Sequence, residues 1–138
     1  MQRDIQIIQN TFWVLYQNLL RDHDKVSYKK RVEELQRNYE SHPVFGCFCK
    51  NLYSCWQTIL SYEVREINMQ AIQTELWCAY KACLVGGRAG VFTKRAAALV
   101  KRYEQDKALC SFCQNLIISW APVITAVLQE QRGVAYNG

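Results

Sequence analysis

Hydrophobic residues recur every three or four positions along most of the chain, which is the spacing of an α-helix that buries one face. The first run consists of Ile5, Ile8, Phe12, Leu15 and Leu19. No segment carries a credible strand pattern. The distribution of apolar residues therefore predicts an all-α protein.

The chain contains an internal repeat, which is visible when the sequence is aligned with itself at a shift of 64 residues. The shift superposes residues 5–61 on 69–125 without a gap, and Gln9 then falls on Gln73. The four tryptophans become two positions used twice, which are Trp13 with Trp77 and Trp56 with Trp120, and we expect all four to be mostly buried. Helical periodicity alone does not require such matches, so we interpret the repeat as a tandem duplication.

The residue pattern within each repeat predicts three helices. Asp4 and Asn68 occupy equivalent positions before the first helix of each repeat, and both residue types are good N-caps. The second helix is expected over about 27–40, after the loops at 22–25 and, in the second repeat, 86–90.

The third helix of each repeat is expected over 43–61 and 107–128, with Pro43 as the first helical residue of one copy. Pro122 predicts a kink or an early end in the other copy, because proline lacks the N–H that a helix interior needs. The tail, residues 129–138, has no period and is expected to fray.

These elements predict a single domain over residues 1–138. Its expected architecture is a six-helix bundle, a tandem duplication of a three-helix unit with pseudo-twofold symmetry, in which each unit completes the core of the other. A superhelical stack of helix pairs is the alternative.

Composition places the protein among globular proteins, with 50% hydrophobic and 21% charged residues. The N-terminal segment carries Gln, Arg and Asp where a signal peptide needs an apolar stretch, and no apolar run approaches about 18 residues. We therefore expect a cytoplasmic protein without a membrane partner.

Seven cysteines raise the question of a metal site, since Cys47, Cys49 and Cys55 have short spacings, as do Cys110 and Cys113. The repeat argues against zinc, because five of the seven cysteines align with small or apolar residues. Core filling by free thiols is the favoured interpretation, and redox or disulfide chemistry is the alternative. No cofactor and no metal are expected.

Candidate catalytic residues are few. His23 and His42 are the only histidines, and both fall at predicted loop or cap positions. No phosphate loop, zinc-protease, nucleophile-elbow or dinucleotide pattern occurs in the sequence. The chain is therefore not expected to be an enzyme. Asn51 and Asn115 recur at one repeat position in an apolar stretch, which favours a structural role over recognition.

The basic residues are concentrated in the second repeat. Residues 1–68 carry 9 basic and 8 acidic side chains, and residues 69–138 carry 8 and 4. The second repeat also has Ala97 and Ala98 where the first has Glu33 and Glu34, which produces an apolar helix face beside a basic edge. The candidate partner-binding residues are Arg88, Lys94, Arg95, Ala97, Ala98, Lys101 and Arg102.

The Phe-Cys-x-Asn-Leu-x-x-x-Trp segment and the Gln-x-x-x-Trp-x-x-Tyr opening resemble small all-helical proteins of mobile elements and phages in Gram-positive gut bacteria. Some proteins of that kind inhibit host defence systems such as CRISPR. The resemblance touches about a third of the chain and implies a stoichiometric binder that acts on a host machine.

Two binding functions follow from these observations. The first is a non-catalytic inhibitor or adaptor that binds a host protein complex, a nucleoprotein included. The alternative is a nucleic-acid-binding accessory protein that uses the basic second-repeat helix. A homodimer or the C-terminal tail would be a further way to cover Ala97 and Ala98. We expect the first repeat to be mainly structural and the second to carry the contact surface.

Overall fold

The computed structural model describes residues 2–133, and these form six α-helices without a strand. In chain order the helices are α1 (Gln2–Asp22), α2 (Lys25–Tyr39), α3 (Pro43–Ile59), α4 (Glu66–Gly86), α5 (Ala89–Arg102) and α6 (Lys107–Gln131). The all-α prediction and the number of helices are confirmed.

The third helix of each half lies at the centre of the molecule. α3 and α6 pack against each other more extensively than any other pair, with α1 and α2 against α3, and α4 and α5 against α6. Aromatic side chains fill the interface between α3 and α6. Trp56 packs edge-to-face against Phe112, and Phe48 packs in the same way against Trp120, with ring centroids 5.0 and 5.1 Å apart. One continuous hydrophobic core results.

The helix starts differ from the sequence expectation in the first helix of each half. α1 is already helical at Gln2, and α4 begins at Glu66 after Arg65, so Asp4 and Asn68 are not N-caps. Asp4 instead lies in the first turn of α1, where its carboxylate accepts a 3.0 Å hydrogen bond from the Tyr39 hydroxyl. This bond ties the start of α1 to the end of α2.

Three of the other helix starts have side-chain caps, whereas α5 begins after Arg88 without one. Asp24 accepts from the Ser27 N–H, so α2 begins at Lys25, two residues earlier than expected. His42 Nδ1 accepts from the Phe45 N–H, and Asp106 accepts from the Leu109 N–H. Pro43 is the first residue of α3, as predicted.

α6 continues through Pro122 to Gln131. It therefore extends three residues into the segment 129–138 that was expected to fray, and residues 134–138 lie outside the described part of the chain. Burial explains this persistence, since Val123, Ile124 and Val127 after the proline are nearly inaccessible to solvent. Packing of these side chains offsets the loss of the backbone hydrogen bond that the proline cannot make.

The tryptophans divide into two classes. Trp56 and Trp120 are fully buried, as predicted. Trp13 and Trp77 are less deeply buried and pack against the edge of the core. The prediction that all four are mostly buried is confirmed, with Trp56 and Trp120 deeper than Trp13 and Trp77.

Candidate binding surface

The outer face of α5 is basic and carries two small residues. α5 buries Phe92, Ala96 and Leu99 against the core, and this orientation turns the opposite side of the helix to solvent. The residues exposed on that side are Lys94, Ala97, Ala98, Lys101 and Arg102, with Arg88 exposed at the N-cap. The structure therefore brings six of the seven predicted site residues to one solvent-facing helix, and we call these six the α5 face.

Arg95, the seventh predicted residue, is exposed but is also engaged within the protein. Its guanidinium lies 3.8 Å from the Glu75 carboxylate and donates a 3.4 Å hydrogen bond to the Cys78 carbonyl. Both partners lie on α4. Arg95 therefore holds α5 against α4 at the edge of the α5 face.

The matching surface of α2 has different chemistry. Lys30 and Arg37 stand at the repeat positions of Lys94 and Lys101, while Glu33 and Glu34 stand at those of Ala97 and Ala98, and all four are exposed. The glutamates lower the net charge of this surface, although neither forms an ion pair within residues 2–133. The two alanines leave the α5 face with uncompensated positive charge.

Most of the cysteines are packed in the interior. Cys49, Cys55, Cys83 and Cys113 are buried, and all seven cysteines are free thiols. Burial raises the pKa of Cys49 and of Cys113 to about 12, so both thiols are protonated at neutral pH. Cys47 is exposed, which corrects the expectation that it fills the core. Among residues 2–133, no group of three or more His, Cys, Asp or Glu side chains could hold a metal ion.

The repeated asparagines do not form a buried pair. Asn51 is exposed on α3, and Asn115 is half-buried on α6, where its backbone carbonyl accepts a 2.8 Å hydrogen bond from the Ser119 hydroxyl. The premise that an amide is buried at this position is wrong for Asn51. The two histidines occupy the ends of helices, with His23 in the α1–α2 turn at a φ of 56° and His42 at the α3 cap.

Sequence reasoning missed an open groove between α1 and α2. Its volume is about 990 Å³, and it is lined by Arg3, Gln6, Ile7, Asn10, Thr11, Val14, Leu15, Ser27, Lys30, Arg31, Glu34, Leu35 and Asn38. Two apolar residues on α1, Ile7 and Val14, are 40% and 47% exposed there. The sequence signal was the presence of these large apolar residues where the second repeat has Ala71 and Cys78.

A smaller pocket of about 210 Å³ lies where α1 meets α4. Its lining is uncharged and consists of Gln6, Gln9, Asn10, Trp13, Gln70, Gln73, Thr74 and Trp77. At its base the Gln9 side-chain amide donates a 2.7 Å hydrogen bond to the Gln73 side-chain oxygen. This bond joins the two halves of the chain.

α6 is the one helix within the described residues that is long and apolar enough to cross a membrane. Because 56% of its apolar window is buried inside the protein, the helix also fits the description of a core helix. Length and composition are therefore weak evidence for a membrane span.

Comparisons with known proteins do not indicate a function for this chain. No family model matches the sequence, and no curated protein or solved structure is significantly similar to it.

Proposed function

We propose that this protein is a non-catalytic binding protein, a stoichiometric inhibitor or adaptor that docks on a host protein complex through the α5 face. The observation that carries the proposal is the pair of exposed alanines, Ala97 and Ala98, among uncompensated cations on one helix face. The resemblance to inhibitors encoded by mobile elements supports the choice of a host machine as the target.

The α5 face suits a close contact with an acidic partner surface. Alanine has no rotamer entropy to lose on binding and lets a partner approach the helix closely. Lys94, Lys101 and Arg102 surround this flat area and would steer an acidic patch towards it. Arg95 contributes by fixing α5 in place, since its guanidinium contacts α4.

Nucleic-acid binding is the second candidate, and the same cations favour it. Phosphate contacts are strongly salt-dependent because each one releases condensed counterions. A protein interface centred on Ala97 and Ala98 relies on packing as well, and its affinity falls less steeply with salt. The two candidates therefore differ in a measurable quantity.

The test is capture from a host lysate with the intact protein and two variants. One variant is the double substitution Ala97→Glu and Ala98→Glu, which gives α5 the acidic residues of α2. The control is Ala121→Glu, the same change at an exposed position of α6. The proposal expects a protein that is retained by the intact chain and the control, resists nuclease, and is lost from the double variant.

Three results would count against the proposal. Retention that is unaffected by the double variant would remove the α5 face from the interface. Loss of the captured protein on nuclease treatment, with an affinity that falls steeply with salt, would favour the nucleic-acid function instead. A double variant that dimerises less than the intact chain in light scattering would assign the α5 face to self-association.

We place this activity in the cytoplasm of the host cell. The supporting observation is the set of seven free thiols, several of them in the core. Free buried cysteines are typical of proteins that fold in a reducing compartment.

We also propose that the two halves arose by tandem duplication and are related by a pseudo-twofold axis. Contacts between residues 64 positions apart support this, namely Gln9 with Gln73 and Cys55 with Ser119. A residue meets its own counterpart only close to a twofold axis. The test is to superpose residues 5–61 on 69–125 in an experimental structure, where a different order or direction of helices would contradict the proposal.

A further inference from the structure

We propose that the groove between α1 and α2 binds an acidic amphipathic helix of a partner protein. This site lies in the first half of the chain and does not rest on the α5 face. It gives the first half a binding role, in contrast to the structural role expected from its sequence.

The floor of the groove is suited to the apolar face of a helix. Ile7 and Val14 lie seven residues apart on α1, so they project from one side of the helix about two turns apart. Both are substantially exposed, at 40% and 47%. An incoming helix with apolar residues at positions i, i+3 or i+4, and i+7 would cover both, as in other helix-in-groove complexes.

The rim of the groove selects the charge of the partner. Arg3 stands on the α1 side, and Lys30 and Arg31 stand on the α2 side, with Glu34 as the only acidic lining residue. Within residues 2–133, none of these three cations forms an ion pair. Carboxylates on the flanks of a bound helix would supply the missing partners and would set its orientation.

In the second half, the corresponding interface between α4 and α5 is closed. Glu75 occupies the repeat position of Thr11, and its carboxylate pairs with Arg95, the counterpart of Arg31. α5 also lies more closely against α4 than α2 does against α1. In the first half Thr11 stands where Glu75 does, and Arg31 forms no ion pair within residues 2–133, although Asp22 and Asp24 line a small pocket with it. A partner's carboxylate would therefore take the place that Glu75 fills.

The apolar floor favours a protein helix over a nucleic acid. A phosphate backbone would satisfy Lys30 and Arg31, but it would leave Ile7 and Val14 without apolar contacts. A helix with one acidic and one apolar face satisfies both kinds of lining residue. We therefore commit to the helix, and a nucleic acid is an outcome of the test.

The experiment selects binders from a library of random 16-residue peptides displayed on phage, with the full-length protein as bait. Enriched peptides, and a single-stranded oligonucleotide as the nucleic-acid probe, are then titrated against the intact chain, Val14→Arg and Arg31→Glu. The matched control is Arg37→Glu, which makes the same charge reversal on α2 outside the groove. Circular dichroism establishes that each variant is folded, which the exposure of Val14 and Arg31 leads us to expect.

The proposal expects enriched peptides with carboxylates and with apolar residues at helical spacing. Their affinity should fall by roughly tenfold or more on Val14→Arg and on Arg31→Glu, and should be unchanged by Arg37→Glu. A selection that yields no peptide sensitive to the groove variants would overturn the proposal. So would groove-dependent peptides without acidic excess, or groove-dependent binding of a single-stranded oligonucleotide that exceeds that of the peptides.

Discussion

Individual cysteines in this protein have very different access to solvent. Cys49 and Cys113 are fully buried in the seam around α3 and α6, and burial raises the pKa of each to about 12. Cys47 lies two residues before Cys49 but is exposed on the outer side of α3. The thiolate is the reactive form, so reactivity should follow this difference in environment.

We predict that iodoacetamide labels native Cys47 well before Cys49 and Cys113 at pH 8. The two buried thiols are protonated at this pH and become accessible only when the structure opens. Tryptic digestion leaves Cys47 and Cys49 in one peptide, so tandem mass spectrometry over a time course assigns the label to each cysteine, and denatured protein provides the control. Equal labelling rates for Cys47 and Cys49 in the native protein would contradict the assigned burial.

The hydrogen bond between Gln9 and Gln73 joins α1 to α4 between two residues that are each 8% exposed. Substitution of either by alanine removes one partner and should lower the free energy of unfolding by about 1–3 kcal/mol. The double variant should cost about 1 kcal/mol less than the sum, because the bond is lost only once. Urea denaturation of the four proteins measures this, and strictly additive costs would argue against the bond.

Residue-level predictions from the sequence succeeded where the helical pattern was unambiguous. Phe92, Ala96 and Leu99 lie on the buried stripe of α5, as their spacing predicts. Asn51 was misjudged because its neighbours are apolar, yet successive residues on a helix are about 100° apart. With Leu52 turned to the core, Asn51 faces solvent.

At the scale of elements, the corner between α2 and α3 depends on a glycine. A Cβ added at Gly46 would lie 3.0 Å from the Tyr39 carbonyl oxygen, which belongs to the backbone and has little freedom to move. Gly90, near the start of α5, has open space at the same place. The two glycines thus form a natural pair for comparison.

We predict opposite effects for alanine at these two positions. Gly46→Ala should destabilise the fold by about 1–3 kcal/mol, since α2 and α3 must shift apart to relieve the contact. Gly90→Ala should be neutral or should stabilise the fold by up to about 1 kcal/mol, because alanine favours the helix. Thermal and urea unfolding measure both, and a neutral Gly46→Ala would contradict the described corner.

The starts of α3 and α6 were predicted correctly from the sequence, whereas α2 begins two residues before its expected start although Asp24 caps it. Pro43 with His42, and Asp106, define the starts of α3 and α6 through local hydrogen bonds that the sequence reveals. Arg65 caps α4 without a side-chain hydrogen bond, so no local signal marks that start. The persistence of α6 beyond Pro122 depends on tertiary packing, which a local proline rule does not include.

For the molecule as a whole, the all-helical architecture could be predicted because the same three-helix pattern occurs twice. The α5 face could also be located, since the replacement of Glu33 and Glu34 by Ala97 and Ala98 is visible in the repeat. The groove between α1 and α2 could not, because its width depends on how far the side chains at the seam hold two helices apart.

The proposed activity predicts a defined binding stoichiometry. An inhibitor or adaptor is consumed by its target one molecule per site, whereas an enzyme acts in substoichiometric amounts. Both the α5 face and the groove between α1 and α2 are open to solvent on the isolated chain. Variants on each surface can therefore be assigned to separate contacts without loss of the core.

The most direct test of the central claim is isothermal titration of the purified target with the intact protein, Ala97→Glu/Ala98→Glu and Ala121→Glu. We predict saturation at one molecule per target site, an affinity that falls by roughly tenfold or more in the double variant, and no change in the Ala121→Glu control. Equal affinity for the intact protein and the double variant would contradict the account.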